Sequence, residues 1–88
     1  NPNFDLSFLL AAVKRCKLFK ENPFHKFSTF DTATIGALIY KQTVLARAVR
    51  AAKIMFDEAQ AHSALYDATK TAELFCCCVN LCDEKVLA

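Results

Sequence analysis

The sequence predicts an all-α protein: a small bundle of three or four helices with one long central helix, as a monomer or a dimer. Its 88 residues include a single glycine, Gly36, and two prolines, Pro2 and Pro23. Tight hairpins need residues that accept positive φ, so this chain has little material for a sheet. Residues that favour helices, such as Ala, Leu and Lys, are abundant instead.

The apolar content is high for so short a chain. Hydrophobic residues make up 55% of the sequence, against about 45–50% in ordinary soluble domains. A domain of this size buries only about 60–65% of the surface that its unfolded chain exposes. We therefore expect residues 1–88 to form one helical domain that packs densely or associates with a second copy. Because the chain starts at Asn1 without a methionine, we expect it to be a fragment of a larger polypeptide.

A first helix is predicted near residues 5–21. Asn3 or Asp5 can cap its start, and the pair Asn22-Pro23 ends it because the residue before proline is pushed out of the helical region. An apolar stripe at three- and four-residue steps supports this helix, formed by Leu6, Leu9, Leu10, Val13 and Cys16.

Two further helices are predicted near residues 28–61 and 63–83. The segment 28–31 fits a capping box, and the apolar stripe after it changes phase between residues 57 and 64, where Ser63 can cap a new helix. An alternative is one long bent helix whose apolar seam faces a partner copy. The principal core is predicted to contain Ile35, Leu38, Leu45 and Val49.

Charge is distributed unevenly along the chain. Residues 1–53 carry a net charge of +6 and residues 54–88 a net charge of −4. The basic half can bind nucleic acid or an anionic membrane, or it can pair with the acidic half of the same or another chain. The candidate polyanion-binding residues are Lys14, Arg15, Lys17, Lys20, Arg47, Arg50 and Lys53.

Phenylalanines recur at three-residue spacing in the connector after the first helix. Phe24, Phe27 and Phe30 are expected to anchor this connector to the core. The alternative is an aromatic platform for bases, which needs exposed rings beside cations, here His25 and Lys26.

The cysteines cluster near the end of the sequence, at positions 76, 77, 78 and 82. Cys78 and Cys82 share a helix face and could give a metal ion two thiolates, but no further ligand has a typical metal-site spacing. We therefore expect free, mostly buried thiols in a reducing compartment, with no bound metal or cofactor. His62 is expected at the last helix break, paired with Glu58.

No catalytic motif or converging acid–base pair is recognisable, so the sequence predicts that the chain is not an enzyme. The leading functional hypothesis is a non-enzymatic module for protein–protein interaction and self-assembly, with a second copy or another protein as partner. Its contact is predicted at Phe75, Cys78, Val79 and Cys82. The most apolar stretch, residues 74–82, is much shorter than the ~20 residues that span a bilayer. An intracellular location, cytoplasmic or nuclear, is expected.

Overall fold

The computed structural model describes residues 1–84, and these form four α-helices and no strand. The helices are α1 (Pro2–Cys16), α2 (Thr32–Tyr40), α3 (Leu45–Ala51) and α4 (Ala64–Cys82). Two short 3-10 helices, Phe19–Glu21 and Glu58–Gln60, lie in the connections. The all-α prediction is confirmed. The chain divides into two compact units, one of residues 1–31 and one that starts at Thr32.

Helix α1 of the first unit begins at Pro2 and not near Asp5, because Asn1 caps it. The side-chain Oδ1 of Asn1 accepts a hydrogen bond from the Phe4 N–H at 3.3 Å. Proline is well tolerated directly after a cap, since its missing N–H would have no partner within the helix. The cap that we predicted at Asn3 or Asp5 therefore lies inside the helix.

The end of α1 also differs from the prediction, since the helix stops at Cys16 and not at Glu21. Lys17 adopts a left-handed conformation with φ of 55°. Its neighbour Leu18 then donates its N–H to the carbonyl oxygen of Val13 at 3.0 Å. This bond satisfies a carbonyl that would otherwise lack a partner and closes the helix before the asparagine–proline pair is reached.

The long central helix predicted over residues 28–61 is not present in the second unit. Helix α2 starts at Thr32, after the predicted capping box, and ends at Tyr40. Helix α3 starts again at Leu45 and ends at Ala51. A second interruption, which contains the 3-10 helix Glu58–Gln60, separates α3 from α4.

Gly36 explains why the chain can turn back after α2. The N–H of Gln42 donates to the carbonyl oxygen of Gly36 at 3.4 Å, and Lys41 takes a φ of 60° between them. A Cβ atom on Gly36 would lie 2.9 Å from the backbone oxygen of Gln42 and 3.6 Å from Cβ of Ala48. The single glycine therefore gives room for a close backbone approach that ends the helix.

The core of the second unit lies where α4 packs against α2 and α3. Its buried residues are Ala48, Val49, Leu74 and Cys78. Partly buried apolar side chains surround it, including Ile35 and Leu45, in agreement with the predicted core. Leu38 was predicted there too, but its side chain is 71% exposed. Helix α2 packs on the core through Ile35 and Ile39, which are four residues apart and share a helix face, and Leu38 lies off that face.

Helix α4 matches the prediction closely. It runs over Ala64–Cys82, and Ser63 occupies the N-cap position, although the Ser63 side chain makes no capping hydrogen bond. None of the helices within residues 1–84 combines the length and the apolarity that crossing a membrane requires.

Candidate active site at the start of helix α4

A cleft of about 380 Å³ lies in the second unit at the N-terminal end of α4. Apolar side chains form much of its wall, and three titratable residues complete it: Glu58, His62 and Asp67. The full lining is Val44, Leu45, Ala46, Phe56, Glu58, Ala61, His62 and Asp67. A concave, mostly apolar surface with a few polar groups is the usual form of a ligand site.

A hydrogen bond joins His62 to Asp67 across the start of α4. The backbone N–H of His62 donates to Oδ1 of Asp67 at 3.3 Å. Asp67 is held in the first turn, where its own N–H donates to the carbonyl oxygen of Ser63 at 2.9 Å. His62 has a φ of 72°, a left-handed conformation that is uncommon outside glycine. The bond therefore fixes an unusual backbone beside a carboxylate.

The segment before His62 is organised by Asp57. Its carboxylate accepts hydrogen bonds from Nε2 of Gln60 at 3.1 Å and from the Ala59 N–H at 3.0 Å. The bond from Gln60, followed by the bond from Ala59, lowers the pKa of Asp57 below its usual value. This carboxylate thus shapes the 3-10 helix Glu58–Gln60.

Glu58 is engaged by a cation at the rim of the cleft. Its Oε1 lies 2.7 Å from the guanidinium Nη2 of Arg50, and the same guanidinium lies 5.7 Å from the ring centre of Phe56. The pairing of His62 with Glu58 expected from the sequence is replaced by this ion pair. Arg50 offsets the charge of Glu58. The second carboxylate in the lining of the cleft is that of Asp67.

The cleft offers two kinds of chemistry. An imidazole can accept a proton near neutral pH, and a carboxylate can orient a cation or a polar group. Within residues 1–84, no three His, Cys, Asp or Glu side chains converge so that they could hold a metal ion. Asp67 is therefore a single hard oxygen donor and not a complete metal site.

The seven basic residues predicted to bind polyanions are all exposed. Lys14 and Arg15 lie in the last turn of α1, with Lys17 and Lys20 directly after it in the first unit. Arg47 and Arg50 lie on α3 of the second unit, and Lys53 follows that helix. Arg50 differs from the rest because its guanidinium already bonds Glu58.

The connector phenylalanines are exposed, so the expectation that they anchor the connector to the core is wrong. The exposed fractions of Phe24, Phe27 and Phe30 are 56%, 83% and 81%. Lys26 places its ammonium 5.5 Å from the ring centre of Phe27, and the ring of His25 lies 6.3 Å from the same centre. The connector therefore has exposed rings and one adjacent cation, Lys26, which are features that the alternative hypothesis required.

Of the four residues predicted for a self-contact, Cys78 is buried in the core. Cys78 is only 2% exposed and belongs to the core, so its thiol cannot reach another chain. Val79 and Cys82 are exposed, and Phe75 is half-buried. Burial raises the pKa of the Cys78 thiol, with smaller contributions from Cys77 and Cys82. All five cysteines are free thiols.

Residues 1–75 match the model of the RNase T family, which is described as an exonuclease family. The chain belongs to this exonuclease family. It is 62% identical over 80 residues to ribonuclease T of Vibrio campbellii, and 60% identical over 80 residues to those of Vibrio cholerae and Yersinia pseudotuberculosis. Each match covers 91% of this chain but only 35–37% of the relative. The chain thus spans little more than a third of the length of these curated relatives.

Membership of the exonuclease family corrects the functional prediction. The hypothesis of a non-enzymatic module for protein–protein interaction and oligomerisation is wrong, and so is the prediction that the chain is not an enzyme. The region that matches the family contains both His62 and Asp67, whereas the cysteine cluster that begins at Cys76 follows it. The most unusual feature of the composition therefore lies outside the part that defines the family.

Sequence reasoning considered His62 and Asp67 separately and did not connect them. The sequence predicts His62 at a helix break, and Asp67 enters only through the net negative charge of residues 54–88. The signal that could have joined them is their placement on either side of the predicted cap Ser63. A residue just before a helix and one in its first turn can hydrogen-bond across the helix start.

Proposed function

We propose that this chain forms one wall of a nuclease active site, in which His62 acts as general base and Asp67 supplies a negative charge. The substrate class is nucleic acid, and the reaction is hydrolysis of a phosphodiester bond. The observation that carries this proposal is the shared cleft of His62 and Asp67, joined by a hydrogen bond of 3.3 Å within the region that matches an exonuclease family.

The chemistry of phosphodiester hydrolysis accounts for both residues. His62 accepts a proton from water while the water oxygen forms a bond to phosphorus, and the bond to the leaving oxygen breaks. The leaving oxygen then takes up a proton. His62 is exposed, so its imidazole can reach a bound phosphate and exchange protons with solvent. General base catalysis of this kind contributes roughly 100- to 10,000-fold in rate.

Asp67 could supply only part of the ligand set of a divalent cation. Such ions stabilise the negative charge that develops on a phosphate during displacement. Asp67 offers a carboxylate of the type that hard cations prefer, but Glu58 is neutralised by Arg50 and the described residues add no third ligand. We propose that Asp67 would be the ligand from this cleft and that other ligands would come from outside it.

Two exposed surfaces support nucleic acid as the substrate. The basic residues at the end of α1, which include Lys14 and Lys20, can neutralise phosphates. The exposed rings of Phe24, Phe27 and Phe30 can stack on unpaired bases. Stacking on exposed aromatic rings favours a single-stranded substrate, because its bases are not held in a duplex. Family membership favours nucleic acid over an anionic membrane as the partner of the basic residues.

A second copy of the protein is a further proposed partner. Large apolar side chains are exposed on the first unit. The exposed fractions of Phe4 and Phe8 are 61% and 66%. Their rings lie 5.0 Å apart and form one patch on α1. We also retain the proposal of a reducing compartment, which is consistent with five free thiols.

The test of the proposed function is substitution of His62 in the native protein. His62→Ala is expected to lower kcat for a labelled single-stranded RNA oligonucleotide by about 100-fold or more. Ser63→Ala is the matched control, since Ser63 is the next residue, is exposed and makes no capping hydrogen bond. Equal activity of the two variants would rule out His62 as the base.

A further inference from the structure

The segment Asp57–His62 needs support from outside itself. It contains one short 3-10 helix, and its last residue, His62, holds a left-handed conformation. Side chains with a Cβ atom avoid this region unless the surrounding structure enforces it. Asp67 fixes the end of the segment through the His62 N–H. A second attachment at the start of the segment would be needed to define the path between them.

Tyr66 provides that second attachment. Its hydroxyl oxygen accepts a hydrogen bond from the backbone N–H of Asp57 at 2.6 Å. Tyr66 and Asp67 are neighbours in the first turn of α4, so this turn binds both ends of the segment. A short hydrogen bond to a backbone N–H positions the main chain directly, without depending on the conformation of a second side chain.

The ring of Tyr66 has two contact partners of its own. It lies 5.5 Å from the ring of Phe56 at an interplanar angle of 57°, and Lys70 places its ammonium 5.4 Å from the ring centre. Lys70 is only 8% exposed and pairs with Glu73 at 3.2 Å. A buried cation with one carboxylate partner and an aromatic face has little freedom to move. Tyr66 is therefore a fixed point from which the segment can be located.

We propose that Tyr66 is a positioning residue for hydrolysis, which acts through His62 by fixing the Asp57 end of the segment that carries it. This inference rests on the proposed function of His62. Tyr66 does not touch the reacting atoms in this scheme, because its hydroxyl oxygen is directed to the Asp57 N–H. Its contribution is to keep the imidazole within reach of the attacking water.

The decisive experiment combines two substitutions in the native protein. Tyr66→Phe keeps the ring but removes the hydroxyl, and it is expected to lower kcat by about 10- to 100-fold through misplacement of the base, with KM nearly unchanged. In a His62→Ala background the same substitution should have no further effect, since the group that Tyr66 positions is absent. Tyr40→Phe is the matched control, because its hydroxyl contacts Cys77 and not this segment.

The outcomes separate this inference from the proposed function. An equal loss from Tyr66→Phe with and without His62 would overturn the inference, because it would indicate a general structural effect. No loss from Tyr66→Phe in the otherwise unaltered protein would also overturn it. If His62→Ala itself left kcat unchanged, the proposed function would fail, and the positioning role would fail with it.

Amide hydrogen exchange gives a second measurement that does not depend on activity. In Tyr66→Phe, the amides of Asp57 and His62 should exchange roughly fivefold faster or more, since one hydrogen bond that holds the segment is lost. The amide of Leu74, in the core of α4, should keep its exchange rate. Unchanged exchange at Asp57 and His62 would overturn the inference, and so would an equal increase at Leu74.

Discussion

The His62 N–H donates to Oδ1 of Asp67 at 3.3 Å, and this bond joins a residue outside α4 to one inside its first turn. The bond needs an oxygen acceptor but not a negative charge. An asparagine at position 67 would keep the acceptor and lose the charge. The two contributions of Asp67, to geometry and to electrostatics, can therefore be separated by one substitution.

Asp67→Asn is expected to lower kcat of the native protein by on the order of 100-fold, because the negative charge in the cleft is lost while the hydrogen bond to the His62 backbone is kept. Unfolding by urea should show little change in stability. The matched control is Asp83→Asn at the other end of α4, where the side chain is exposed. A variant at position 67 as active as the one at position 83 would contradict a catalytic role for the carboxylate.

Gly36→Ala is expected to destabilise the protein by about 1–3 kcal/mol, since the new Cβ would lie 2.9 Å from the Gln42 backbone oxygen. In an open helical site the same change would stabilise by about 1 kcal/mol. The sign of the change in the free energy of unfolding therefore reports on the close approach. Ala72→Gly, at an exposed site in α4, measures the propensity effect alone. If Gly36→Ala stabilised the protein, the Gln42 backbone would have to lie farther from Gly36 than the structure places it.

The helix class and the last helix could be predicted because they depend on local patterns. Scarce glycine, good helix formers and an apolar stripe are each visible along the chain. The bounds of α4 lie within one residue of the predicted range 63–83 at each end. The break between α2 and α3 could not be predicted in the same way. It depends on Gly36 contacting Gln42 and Ala48, and a single helical glycine has no such meaning until its neighbours in space are known.

The candidate active site was missed for a similar reason. His62 and Asp67 are common residue types, and their spacing alone does not distinguish a site from a solvated helix start. The left-handed backbone of His62 brings its N–H to the carboxylate, and that conformation follows from the fold. Phe27 was misjudged because large aromatic residues are usually buried, whereas here 83% of its surface is exposed.

Leu74→Ala is expected to destabilise the second unit by about 2–5 kcal/mol, because Leu74 is 1% exposed and its removal leaves a cavity in the core. Leu65→Ala changes the same residue type on the same helix at a site that is 79% exposed. Its effect should stay within about 0.5 kcal/mol. Urea unfolding of both variants tests this, and equal losses of stability would contradict the assignment of the core.

Tyr40 should make the stability of the protein sensitive to alkaline pH. Its hydrogen bond with the Cys77 thiol (3.3 Å), together with burial, raises the pKa of Tyr40 from 10.0 to about 12. The unfolded chain ionises first as pH rises, so stability present below pH 10 is lost between pH 10 and about 12. Urea unfolding at pH 9 and pH 11, with a reductant present, should show a smaller decline for Tyr40→Phe than for the unaltered protein. Equal declines would contradict the shift.

The basic residues of the first unit should govern how salt affects binding to single-stranded nucleic acid. Each phosphate contact adds about 0.7 to the slope of log affinity against log salt concentration. Replacing Lys14, Arg15, Lys17 and Lys20 by alanine is therefore expected to reduce this slope by up to about 3. Fluorescence anisotropy with a labelled oligonucleotide, measured at several salt concentrations, gives the slope directly.

Lys41→Ala is the control for this salt dependence, because the Lys41 ammonium donates to the carbonyl oxygen of Leu38 at 3.2 Å and lies outside the predicted set. Its slope should match that of the unaltered protein. If the fourfold variant also kept the unaltered slope, the phosphates would be bound elsewhere. Since Arg50 is already paired with Glu58, the exposed cations that could then be tested next are Arg47 and Lys53.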